Sequence, residues 1–186
     1  AYIDPYYFLS RVNVPVMCMV GTNDNLFNNF DDHGFYPFYQ GNKSFVYVAN
    51  YLHGMASSKH VQAYRAWSAH SLWGRPVTKL TALANVETGG LQVEAIVQFG
   101  STGQSSIQDV TLYYCVLGKK GFRDRADKYQ SAPMQQVGDT SLWCMASPVE
   151  VPTGAQIYWY VEAKDRVQGL DGFSCTLLER TLITRP

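Results

Sequence analysis

Two side chains stand where a hydrolytic proton relay would need them. Asp24 belongs to the turn Gly21-Thr22-Asn23-Asp24-Asn25, and His53 ends the segment Tyr47-Val48-Ala49-Asn50-Tyr51-Leu52-His53. A carboxylate beside an imidazole holds the ring in one tautomer and stabilises it once protonated. The far ring nitrogen can then take and return the proton of a serine hydroxyl. Each residue alone has an ordinary explanation, because Asp is a common turn former and a lone loop histidine is seldom catalytic. Taken together, each just past an apolar segment, they are expected to be the acid and the base of a Ser-Asp-His triad. The remaining histidines are weaker candidates. His60 and His70 fall inside an expected helix, and His33 sits in the cluster Asp31-Asp32-His33, which is expected to face solvent. Asp31 and Asp32 are the fallback acids if Asp24 only shapes its turn.

Positioning such a pair needs two adjacent strands that end side by side. Val14-Pro15-Val16-Met17-Cys18-Met19-Val20 is a continuous apolar run, the mark of a strand buried on both faces of a parallel sheet. Ser44-Phe45-Val46-Tyr47-Val48 reads as a second strand, and Phe35 to Tyr39 as a short helix interrupted by Pro37. Ser57 or Ser58 can cap a helix from about Lys59 to Trp73, with Val61, Tyr64 and Trp67 at helical spacing. Strand, crossover, strand, loop, helix is an α/β pattern. In open sheets of this kind, function gathers beyond the carboxyl ends of the strands, where Asp24 and His53 both fall. The α/β-hydrolase chain order is serine, acid, histidine, and this chain supplies the second and third. Its Gly-x-Ser triplets, Gly103-Gln104-Ser105 and Gly172-Phe173-Ser174, lack the second glycine of a nucleophile elbow. The serine is therefore expected from a segment that this chain does not contain.

The texture changes at Gly74-Arg75-Pro76. From Leu80 the chain reads as short strands between turns, with Leu91, Val93, Ala95, Val97 and Phe99 alternating with polar residues. Val110 to Leu117, Ser141 to Ala146, Ile157 to Ala163 and Phe173 to Leu182 continue the series. The expected fold class is thus α/β followed by all-β. Residues 1–74 are read as the C-terminal part of an α/β-hydrolase sheet, and residues 75–186 as a β-sandwich of immunoglobulin or fibronectin-III type. Eight residues, Leu91, Val93, Val97, Leu112, Tyr114, Ile157, Trp159 and Val161, are expected to face the sandwich core.

Composition narrows the function classes. Fifteen basic residues balance fifteen acidic ones with no long basic block, which argues against nucleic acid or an anionic membrane surface as the main partner. No apolar run approaches the roughly 18 residues that a membrane-spanning helix needs. The four cysteines include no C-x-x-C pair, so a zinc site is not expected. Cys18 reads as a buried thiol, and Cys115 with Cys144 is the preferred disulfide pair because both lie mid-strand and could face each other across two sheets. Asn42-Lys43-Ser44 is a glycosylation sequon and fits a secreted protein.

Ile3-Asp4-Pro5-Tyr6, Arg11 to Pro15, Gly21-Thr22-Asn23-Asp24 and Tyr47 to His53 resemble the PhoPQ-activated pathogenicity-related proteins, a branch of the α/β hydrolases. The resemblance continues more weakly through Gly154 to Ala163 and Phe173 to Pro186. It implies a secreted or envelope-exported hydrolase of several hundred residues, acting on peptides or esters without a metal or organic cofactor. Asp24 would be its acid and His53 its base. An N-terminal remainder, as a cleaved chain or a missing segment, would bring the rest of the sheet, the oxyanion hole and the serine. The rival expectation is a non-catalytic secreted binding or signalling protein that kept the hydrolase scaffold. A serine elbow upstream discriminates between the two.

Overall fold

The computed structural model describes residues 11–24, 39–87, 90–100, 105–117 and 128–183. The Asp-Pro-Tyr opening, the expected helix at Phe35 to Tyr39 (Tyr39 apart) and Asp31, Asp32 and His33 lie outside them. Among the described residues the protein is mostly β-strand, with one helix.

Strands β1 (Val16–Gly21) and β2 (Lys43–Val48) pair in parallel, from Val16 opposite Lys43 to Gly21 opposite Val48. The first begins two residues later than its apolar run because Pro15 has no N–H to give the ladder. Val16 N, donating to Asn42 O at 2.8 Å, makes the first bond. Helix α1 (Ser58–Trp73) follows, capped by Ser57, whose side chain accepts from the His60 backbone N–H while His60 reaches back to the Ser57 N–H. Gly74, in the left-handed region at φ 70°, closes the other end.

The buried face of α1 is not the one its large apolar residues suggest. His60, Ala63 and Ala66 are buried, whereas Val61 and Tyr64 are exposed and Trp67 is half-buried. Small side chains let the helix backbone lie close against the strands it packs on, and that contact overrides the spacing of the bulky ones.

Nine antiparallel strands follow among the described residues: β3 (Lys79–Glu87), β4 (Gly90–Gln98), β5 (Ser105–Val116), β6 (Gln130–Gln136), β7 (Leu142–Met145), β8 (Val149–Glu150), β9 (Gln156–Val167), β10 (Leu170–Cys175) and β11 (Glu179–Leu182). Their order is β10-β9-β5-β6-β7-β4-β3, with β11 also on β9 and β8 also on β4. The sheet curls until β3 touches β9 and β10, a half-barrel wrapped around its own inner face. All eight residues expected in this core contribute to it, Tyr114 as a partly buried neighbour. Strand β6 was not legible in the sequence. It carries polar residues and Pro133, and it sits where the sheet turns: Gln130 to Pro133 pair with β5, Met134 to Gln136 with β7. A proline is tolerated at such a handover.

Strand β9 is buried on both faces. Ile157, Trp159, Val161 and Ala163 point into the curled core, while Tyr158 and Tyr160 join Phe45 and Tyr47 of β2 in a second core. Tyr160 stacks on Tyr113 (centroids 5.0 Å, 13°) and meets Tyr47 at 4.8 Å. Two buried ion pairs fix the same joint. Lys59 of α1 donates to Glu162, beneath the rings of Tyr113 and Phe173, and Cys175 Sγ lies 3.3 Å from the same carboxylate oxygen. Burial pushes the Glu162 carboxyl up, and the Lys59 ammonium opposes the shift. Arg75 donates to Asp165, to Leu170 O (3.1 Å) and to Pro76 O (2.9 Å), and Thr78 Oγ1 donates to Asp165 Oδ2 at 2.7 Å.

Gly172 lies against this second pair. A Cβ there would stand 2.6 Å from Arg75 Nη2 and 2.7 Å from Asp165 Oδ1. Arg75 is buried and tethered to Asp165, Leu170 O and Pro76 O, so displacing its guanidinium disturbs these bonds. Gly172→Ala is therefore expected to lower stability by about 1–3 kcal/mol, the usual cost of overpacking. Urea unfolding of the intact chain measures it, and an unchanged midpoint would contradict the packing described here.

The expected disulfide is corrected by this packing, for no bond joins Cys115 to Cys144. On β5, Val110 and Leu112 point into the curled core, whereas Cys115 points the other way, into the second core. On β7, Met145 faces the curled core, so its neighbour Cys144 faces outward. Both thiols are thus turned away from the curled core, Cys115 into the second core, instead of facing each other within it.

Candidate active site

The carboxyl ends of β1 and β2 are sewn together beyond their last ladder pair. Thr22 N donates to Val48 O (3.0 Å), and Asn23 N donates to Tyr51 O (2.9 Å). Thr22 Oγ1 accepts from Asn50 N at 2.8 Å and donates to Asn23 Oδ1 at 2.8 Å. Thr22 and Asn23 are buried. The chain leaving β2 thus crosses directly over the chain leaving β1.

Gly21 makes that crossing possible. A Cβ at this position would collide with the carbonyl oxygens of Tyr51 and Leu52 and stand 2.8 Å from the Tyr51 carbonyl carbon. These are backbone atoms, so no side-chain rotation relieves the clash. Gly21→Ala is expected to push residues 51–53 away from the β1 turn. It should remove the low-field Nδ1 proton signal of His53 in NMR and lower stability by about 1–3 kcal/mol. Retention of both the signal and the stability would show that the crossing tolerates a side chain.

At this crossing His53 Nδ1 lies 2.9 Å from Asp24 Oδ2. An ionised carboxylate only accepts, so Nδ1 carries the proton and Nε2 presents its lone pair. The Asp24 side chain is 7% exposed and that of His53 47%. The acid is shielded and the base is reachable, as a proton relay to an incoming group requires.

Asn50 was missed as a positioning residue. Its side chain donates to Tyr129 O (2.9 Å) and accepts from Tyr129 N (2.7 Å), tying the loop before His53 to the segment entering β6. It also adopts φ 58°, a left-handed conformation that Asn tolerates better than most residues. The signal available in the sequence was a lone Asn just past an apolar strand, and its partner lies 79 residues away.

The other candidates lie apart from the pair. His60 is buried at the start of α1, with Nδ1 2.6 Å from Ser57 Oγ, and packs edge-on against Tyr51. Burial, with Lys59 adjacent, pushes its pKa down. His70 Nδ1 donates to Arg75 O at 2.7 Å. Asn42 is exposed at the head of β2. Ser105 opens β5 and Ser174 is buried in β10, so neither occupies a strand-to-helix turn. Among the described residues, no three His, Cys, Asp or Glu side chains gather as a metal site, and no helix is long and apolar enough to cross a membrane.

No curated protein and no solved structure matches the chain significantly. A family model described as PhoPQ-activated pathogenicity-related protein matches residues 1–119, a span that includes Asp24, His53 and the strands that carry them.

Proposed function

Because the chain belongs to the PhoPQ-activated pathogenicity-related protein family, we propose that it is the C-terminal portion of a secreted serine hydrolase acting on peptides or esters. In this reading Asp24 is the acid and His53 the general base of a Ser-Asp-His triad. The observation that carries it is the 2.9 Å contact between His53 Nδ1 and Asp24 Oδ2, just beyond the carboxyl ends of two parallel strands. That arrangement leaves Nε2 as the proton acceptor for a hydroxyl nucleophile.

The serine comes from the remainder of the same protein, which also extends the parallel sheet. Parallel sheets occur with both faces covered and with more than two strands, and among the described residues this one has two. In the same reading, residues 1–74 close an α/β-hydrolase sheet and residues 75–186 form a fibronectin-III-like sandwich. Strand order supports the latter. One half is centred on β4, flanked by β3 and by β7 and β8, the other on β5 and β9, and β6 links the two. Asn42, exposed at the head of β2, suits glycosylation of an exported chain.

The test is labelling of the assembled protein with a fluorophosphonate, which bonds covalently to an activated serine. Labelling of a single serine outside this chain, with His53 intact, is the expected result. A correctly assembled protein that takes no label would overturn the catalytic reading in favour of a binding or signalling protein on the same scaffold.

A further inference from the structure

A cavity of about 420 Å³ opens at the other end of β2, between the later turns of α1, the start of β3 and the end of β10. Its size falls in the range of small-molecule sites. The cavity is lined by Lys43, Ser44 and Phe45 of β2, and the strand's last three residues, each advancing it by about 3.3 Å, separate the cavity from the turn that leads to His53, so it is distinct from the acid–base pair.

The chemistry of its lining is one-sided. Lys43 and Lys79 both contribute, and among the described residues no acidic one does. Lys43 Nζ donates to Tyr39 O at 3.0 Å, which steadies the ammonium at the head of β2. Lys79 is exposed at the first position of β3. One wall is aromatic, with Trp67 and His70 at a centroid distance of 5.0 Å and an interplanar angle of 39°. His70 is held in place by the bond from its Nδ1 to Arg75 O, so Nε2 is the nitrogen left for other partners. Ser44 and Ser174, both buried, add hydroxyl groups to the lining. Two cations, a wall of two tilted aromatic rings and buried hydroxyls suit a small aromatic anion. The carboxylate would lie between the ammonium groups, with its ring against Trp67 and His70.

We propose that this cavity binds a small aromatic carboxylate. Neither the acid–base pair nor the triad reading is needed for it.

Titration calorimetry on the intact chain, with benzoate as the probe and benzyl alcohol as its neutral counterpart, tests the proposal. Saturable benzoate binding is expected, with benzyl alcohol weaker by about tenfold or more, as the loss of one charge-assisted contact implies. Lys79→Gln alters an exposed residue at a strand start and should leave the unfolding midpoint unchanged while weakening benzoate by about tenfold. Three results would each overturn the assignment: no saturable benzoate binding up to roughly 10 mM, far weaker than ordinary ligand affinities, equal affinity for benzyl alcohol, or a Lys79→Gln protein that binds benzoate as tightly as the parent chain.

Discussion

His53→Ala is expected to reduce turnover of the assembled protein by on the order of 10⁶, the scale seen when the base of a serine triad is removed. The imidazole is placed against Asp24 and is reachable from solvent, and water does not replace a positioned base. Fold stability should hardly change, since the ring is 47% exposed and no part of either core depends on it. Turnover of a chromogenic ester, measured alongside the thermal midpoint, separates the two effects. Undiminished turnover would remove His53 from the mechanism, and a collapsed midpoint would make it a structural residue.

The second large effect belongs to Asp24. Asp24→Asn keeps the shape of the side chain while replacing one oxygen by an NH2 group. That group donates to Nδ1, so the ring must carry its proton on Nε2, where the serine proton would have to go. A loss on the order of 10⁴ in turnover is expected, the scale of tautomer reversal in other triads. Because the acid is only 7% exposed, the neutral amide remains packed in the same turn, and substrate affinity should be kept. A fall in affinity with turnover unchanged would mean that Asp24 shapes the pocket without orienting the base.

The legible parts were those written in short stretches of sequence. The apolar run before Gly21 and the segment ending at His53 revealed two parallel strands, and alternation from Leu91 to Val97 revealed the inner face of β4. That Asp24 and His53 would lie near each other was legible because each stands shortly after the end of one of two adjacent strands. Long-range contacts were not. Small residues, and not Val61 and Tyr64, define the packed face of α1, because the surface they meet on β10 arrives a hundred residues later. Cys115 seemed suited to a disulfide because a two-sided environment for β5 cannot be read from one strand. Its burial comes from Phe45 and Tyr47 lying on the far side of the sheet. Strand β6 has no apolar alternation because only Met134 is buried and Ala132 packs beside it, while its pairing with β5 and then β7 places the rest.

The burial of β9 on both faces also sets a timetable for synthesis. At roughly 5–20 residues per second, the chain emerges with His53 some seconds ahead of Ile157, Trp159 and Tyr160. During that interval Phe45 and Tyr47 have no Tyr158 or Tyr160 to cover them, and Asn50 first waits for Tyr129. Neither core can close until β9 has emerged. The nascent chain therefore offers an aromatic strand to any holdase within reach, and the loop that carries His53 gains its tie through Asn50 only after Tyr129 has emerged.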